Sequence, residues 1–274
     1  MALWVADEGG HLLRQDADQR LKLCAQPLCL TACSDCVICA ACDGAHVYAA
    51  DTAKELHRYP LPPGVNRLCA LPDALYCLSS EADSVSLLCP QTGRLRLCAQ
   101  AGCYPRDMKI SPCGRYVAVA GGAAGTLTLF SSRSLTPLRQ IMLPGVVCAA
   151  AFLPSGMAAL CAVGESDVTS QLYRLSPRGV ISEVMRCPGL PGALAALPDH
   201  TLLLGALGEL LRLRPDGRIL QRIPCGLPAA LRIYPAFSLA ADPLSGQVLR
   251  LTHVIGKSAA VCCCSASPND MLLI

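Results

Sequence analysis

Four cysteines follow one another at steps of three: Cys33, Cys36, Cys39 and Cys42. Thiolates on a short loop are the ligand type of an iron–sulfur cluster, which needs soft anionic sulfur. The bacterial ligand run ends Cys-x-x-x-Cys-Pro; this one has neither the longer last step nor the proline. Along an extended strand a step of three sends Cys36 and Cys39 to opposite faces. The run is read as structural cysteine, with metal ligation as the alternative, and no cofactor is expected. Other chemical sets are thin. His11, His46, His57, His200 and His253 form no His-x-x-x-His or His-Glu pair, and no Gly-x-Ser-x-Gly elbow occurs. Gly121-Gly122-Ala123-Ala124-Gly125 lacks a lysine and joins two strands, so it is a hairpin loop and not a phosphate cradle.

The elements that must position any site come from an internal repeat. In the clearest unit, Asp107–Ile110 leads into the turn Ser111-Pro112-Cys113-Gly114, and Arg115–Gly121 leaves it. Thr126-Leu127-Thr128-Leu129-Phe130 follows, and a fourth strand lies around Leu138–Met142. Four short strands with turn signals every 8–12 residues make one propeller blade. The frame recurs at Leu30–Asp35, Leu68–Asp73, Ala150–Gly156, Leu194–Asp199 and, more degenerately, Leu231–Pro235. The spacing is roughly 40 residues, the period of a four-stranded blade. Six units leave the two ends over. Cys264–Ile274 reads as an inner strand, a Ser-Pro turn and the start of a second strand, and Ala2–Leu23 as the missing outer strands.

The expectation is an all-β, seven-bladed propeller of four-stranded antiparallel blades in a single domain, its last blade closed by the C-terminal strand plus N-terminal strands. The blades fall at about 29–63, 64–103, 104–144, 145–188, 189–225, 226–261, and 262–274 with 1–28. Closure leaves no open blade at either end. The Ser111–Phe130 stretch resembles the YVTN-type repeat of YncE-like propellers: small-Pro-x-Gly-Arg-Tyr-hydrophobic, then Thr-hydrophobic-Thr-hydrophobic. Cys113 stands where that repeat usually has Asp, and no Trp-Asp or Gly-His signature of WD40 blades is present. The resemblance implies a disc-shaped scaffold and little about function, because this fold hosts many.

In such a disc the inner strands line a central channel. Aligning the blades on their proline turns puts Cys29, Arg67, Asp107, Ala149, Ala193, Ala230 and Cys263 in one ring. The neighbouring ring reads Leu28, Asn66, Arg106, Cys148, Gly192, Ala229 and Cys262. Two readings of the mouth follow, beside the bland one of paired surface arginines and cysteines standing in for alanine. Asn66, Arg67, Arg106 and Asp107 suit a carboxylate or phosphate ligand. Cys29, Cys262 and Cys263, with Cys148 in the same ring, offer a soft metal or redox site, and on that reading Cys29 and Cys263 alkylate fast.

Composition narrows the partners. Apolar residues make up 53% of the chain but aromatic ones only 4%, so the core must be filled by Leu, Ala, Val and Cys. The net charge is +3 with no basic stripe, which argues against nucleic acid. The uncharged stretch Ile141–Gly164 is long enough to span a bilayer but is broken by Pro144-Gly145 and Pro154-Ser155-Gly156, so two strands around a turn are expected instead. The 19 cysteines, an odd number with no basic-then-apolar leader, fit a reducing cytoplasm. The resulting expectation is a cytoplasmic, monomeric, non-enzymatic scaffold that binds a protein or small molecule through one face. A lactonase-like hydrolase at the mouth and a thiol-based metal or redox site near the closure are the alternatives.

Overall fold

A computed structural model describes residues 2–17, 19–23, 25–253, 258–263 and 267–274, the backbone alone for residues 17, 19 and 258–263. Seven four-stranded antiparallel sheets stand in a ring. Their inner strands are Pro27–Cys33 (blade 1), Val65–Leu71 (blade 2), Asp107–Ile110 (blade 3) and Val146–Leu153 (blade 4). Pro191–Ala196 (blade 5), Ala230–Ile233 (blade 6) and Pro268–Leu273 (blade 7) complete them. The other strands of blade 7 are Leu3–Asp7, His11–Arg14 and Gln19–Lys22, so the two ends of the chain share one sheet. This is a seven-bladed β-propeller.

Local chemistry makes each blade. In blade 3 the Ser111 carbonyl accepts the Gly114 N–H at 2.8 Å, and the Ser111 hydroxyl accepts the Tyr116 N–H at 3.0 Å. Gly114 sits at φ +69°, where a Cβ is strained. The Ile141–Gly164 stretch divides as expected: Val146–Leu153 and Gly156–Val163 pair as a hairpin with Leu153 opposite Gly156. No helix among the described residues is long and apolar enough to cross a membrane.

The core has no single centre. It consists of seven layers, one between each pair of neighbouring blades. Trp4, Leu30, Val37 and Tyr48 fill the layer between blades 7 and 1. Tyr76, Leu78, Val117 and Phe130 fill that between blades 2 and 3. Leu160, Leu172, Leu204 and Leu211 fill that between blades 4 and 5. Side chains stand roughly perpendicular to their sheet, and each sheet presents its edge to the axis. Inner-strand side chains therefore run mainly around the ring into the layers between blades.

Closure differs from the sequence expectation by one strand. Ser267-Pro268 is not a turn after an inner strand: Pro268 opens the inner strand itself, as Pro27 does in blade 1. Leu3, Val5 and Ala6 pair with Leu273, Met271 and Asp270. Asp270 is 3% exposed and ties three blades together. Its carboxylate accepts the Leu30 N–H of blade 1 at 2.9 Å and pairs with Arg232 of blade 6 at 2.6 Å. Removing residues 267–274 is expected to replace the cooperative unfolding transition by aggregation. Asp270→Ala should cost about 3 kcal/mol in urea denaturation, the lower end for breaking a buried ion pair, because Arg232 is left without its anion. A truncated chain that stays monomeric with unchanged melting would show that closure is dispensable.

Candidate functional site

The inner strands begin at one mouth of the channel, and the ring read from the sequence is found there with one exchange. Asp107 of blade 3 accepts the Ala150 N–H of blade 4 at 3.1 Å, the bond that Asp270 makes to Leu30. Asn66 donates to the Pro105 carbonyl of blade 3 at 2.8 Å, and Asn269 to the Pro27 carbonyl of blade 1 at 3.0 Å. The seventh member of the ring is thus Asp270, with Asn269 in the ring beside it. Cys263 and Cys262 lie instead on the outermost strand of blade 6, their Cα partners Gln247 and Val248. Their side chains fall outside the described residues. They belong to the rim of the disc and share no ring with Cys29.

Cys29 is a second correction. It is completely buried in the layer between blades 1 and 2, packed with Cys77 and Leu68. Burial drives its thiol far above the ordinary range, and Asp270 nearby adds to the effect. It offers no accessible sulfur to the channel. Cys148 does line the channel; its thiol donates to the Val146 carbonyl at 3.4 Å, and burial pushes it up.

The channel holds a cavity of about 360 Å³. Its charge comes from long side chains. Lys109 approaches Asp107 at 3.0 Å and Arg67 approaches the same carboxylate at 3.6 Å. Arg67 donates to the Asn66 carbonyl at 2.9 Å and reaches the Ala229 carbonyl of blade 6 at 3.5 Å, across the lumen. Arg232 pairs with both oxygens of Asp270 and donates to the Leu30 carbonyl at 2.6 Å. Burial opposes the Arg232 charge, but the adjoining carboxylate outweighs it and raises the pKa above the ordinary arginine value. Arg106 contributes to neither the channel nor the cleft above it. It is exposed, its guanidinium 5.7 Å from the Tyr104 ring centroid. Arg67 and Arg106 therefore do not form a shared anion clamp.

Lys109, Arg232 and Asp270 were absent from the sequence reading. Lys109 and Arg232 stand two residues beyond the expected ring and face the same way along their strands. Asp270 carried a usable signal: Asn269-Asp270 repeats the polar pair of Asn66-Arg67 and Arg106-Asp107 at the start of an inner strand.

Above the channel a larger cleft of about 770 Å³ opens over blades 7, 1 and 2. Asn66 and Leu28 form its floor with Arg67 and Ala229, which the cleft shares with the channel. Glu8, Asp43 and Glu81 stand on its walls with the Pro60–Gly64 loop. Asp43 is held by the buried His46 at 2.8 Å, whose other ring nitrogen meets Glu55 at 3.0 Å.

The cysteine run does not converge. Cys33 faces the layer between blades 1 and 2, Cys39 that between blades 7 and 1, and Cys42 is exposed at the cleft. Cys33 and Cys36 are opposite one another at the hairpin end. Among the described residues no group of three or more His, Cys, Asp or Glu could hold a metal ion.

No protein-family model matches the sequence, and no curated protein matches it. Solved structures do resemble it. A protein from Lactobacillus plantarum has a TM-score of 0.72 at 14% identity, covering 99% of both chains. A putative 6-phosphogluconolactonase from Bacteroides fragilis has a TM-score of 0.70 at 12% identity, over 100% of this chain and 97% of that one. The virginiamycin B lyase of Staphylococcus aureus has a TM-score of 0.71 at 15% identity, over 89% and 87%. At these identities the likeness is one of fold alone.

Thiol chemistry points away from the axis. Cys89 sits on the turn after the third strand of blade 2. The Thr92 hydroxyl beside it stabilises the thiolate and lowers the pKa to about 7. With iodoacetamide at pH 7, Cys89 should be modified at least tenfold faster than Cys29, since reaction requires an accessible thiolate. Peptide mass mapping over time checks this. Labelling of Cys29 ahead of Cys89 would restore the axial thiol site.

Proposed function

We propose that the chain is a non-enzymatic binding propeller whose ligand sits in the cleft over blades 7, 1 and 2. The observation that carries this is the cleft itself. At about 770 Å³ it falls within the usual range of ligand sites, and it is concave, with the apolar Pro60–Gly64 loop and the carboxylates Glu8, Asp43 and Glu81 on its walls and Asn66 and Arg67 at its floor. The charged groups nearby support binding over catalysis. Asp107 and Asp270 each meet a cation and a backbone N–H, so neither is placed as a general base. No histidine lines the cleft or the channel among the described residues. A lactonase-like activity has only the shared fold behind it. The YVTN-like turn at Ser111–Gly114 supports placing the chain near the YncE-like propellers. The many buried thiols between blades support a reducing, cytoplasmic setting.

A thermal-shift screen of small metabolites and short peptides tests the assignment, run on the wild type and on Pro62→Trp, which narrows the cleft from a loop. A ligand at about a hundred times its Kd adds about 2.7 kcal/mol, and so about 5–10 °C of melting temperature for a domain of this size. The expected result is hits that stabilise the wild type and lose at least half of their shift in Pro62→Trp. Hits that stabilise both proteins equally would place the ligand elsewhere on the disc.

A further inference from the structure

The channel beneath the cleft carries unbalanced charge. Arg67, Lys109 and Arg232 bring three positive charges to its wall, and Asp107 and Asp270 bring two negative ones. The Arg232–Asp270 pair is balanced, one cation to one carboxylate: the carboxylate also accepts the N–H groups of Leu30 and Met271, and the guanidinium donates to the carbonyls of Leu30 and Met271. The Arg67–Asp107–Lys109 group is not balanced, although Arg67 also donates to the Asn66 and Ala229 carbonyls. One carboxylate serves two cations, and its other oxygen is taken by the Ala150 N–H. The Lys109 ammonium has three N–H groups, and Asp107 is its one acceptor among the described residues. Both cationic side chains are a third exposed, 33% and 34%; Lys109 lines the cavity and Arg67 lines both the cavity and the cleft above it.

The opposite wall makes room. At the matching positions blades 4 and 5 carry Ala149, Ala151, Gly192, Ala193 and Ala195. Long side chains on one side and alanines on the other leave about 360 Å³, far more than the ~15 Å³ a single water needs.

We propose that this cavity is a binding site for a small oxyanion, inorganic phosphate or a compact carboxylate, held between Arg67 and Lys109. Guanidinium and ammonium groups are the usual ligands of such anions. Asp107 is a built-in competitor: it keeps the two cations in place when the site is empty and must share them when an anion enters. The site shares Arg67 with the floor of the cleft but does not rest on the cleft binding anything.

Isothermal titration of the full chain with sodium phosphate, sodium sulfate and sodium acetate, at constant ionic strength, tests it. The wild type should bind at least one of the three saturably at one site per chain. Tighter binding of phosphate and sulfate identifies a tetrahedral oxyanion, and tighter acetate a carboxylate. Lys109→Met should weaken binding at least tenfold. Asp107→Asn should strengthen it several-fold, because the amide oxygen still accepts the Ala150 N–H while the competing charge is gone. A purely structural role for these residues predicts no gain in that variant. Pro62→Trp should leave anion binding unchanged, so the cleft and the channel stand or fall separately. No saturable heat with any of the three salts, or equal affinity in the wild type, Lys109→Met and Asp107→Asn, would overturn the proposal. Should Lys109→Met fail to fold, the Asp107→Asn comparison alone decides.

Discussion

The ring depends on one contact between the ends of the chain. The inner strand of blade 7 comes from Pro268–Leu273 and its three outer strands from residues 3–22. Every core layer is made from the faces of two sheets, so the layers on either side of blade 7 exist only while those ends stay paired. Asp270 sits at that point and reaches both neighbours, Leu30 across 240 residues of sequence and Arg232 across 38. Asp107 repeats the staple between blades 3 and 4. A buried carboxylate that accepts the next blade's N–H fixes the angle between sheets in a way that apolar packing, which is non-directional, does not.

The same geometry decides what the channel can contain. Side chains perpendicular to sheets that stand edge-on to the axis point around the ring, so inner-strand residues belong first to the inter-blade layers. That is why Cys29, an inner-strand residue, ends in a core layer. Arg67, Lys109 and Arg232 are long enough to bend into the lumen, beside small residues such as Cys148, Ala149 and Ala193 that line it. The chemical character of the channel is set by these few residues, and its volume by the alanines of blades 4 and 5.

Cysteine takes the part of a small hydrophobe in the layers between blades. Cys29, Cys39, Cys77 and Cys161 are each fully buried, and loss of hydration raises each thiol. They fill layers in a chain with few aromatic side chains, where Trp4, Tyr76 and Phe130 are the large exceptions. The periodic Cys33–Cys42 run is a product of this use. The hairpin sets Cys33 opposite Cys36 beside one layer, but Cys39 faces another and Cys42 is exposed, so the four thiols do not gather at one point.

Blade number, strand sequence, turn chemistry and the sharing of the last blade by both ends were all legible in the residues. They rest on local rules: alternation of apolar side chains, a Ser-Pro-x-Gly turn whose glycine needs positive φ, and a period of about 40 residues. The ring of Asn66, Arg67 and Asp107 was legible for the same reason. The seventh position was not, because prolines flank the inner strands on both sides and a slip of one short strand leaves the local pattern nearly unchanged. Which charges meet was decided only in three dimensions. Asp107 finds Lys109 on its own strand, Arg67 one blade back and Ala150 one blade on, contacts set by how the sheets stack. The cleft likewise joins blades 7, 1 and 2 through residues as far apart as Glu8 and Asn269. No local rule relates such positions, because their distance is fixed by the closing of the ring.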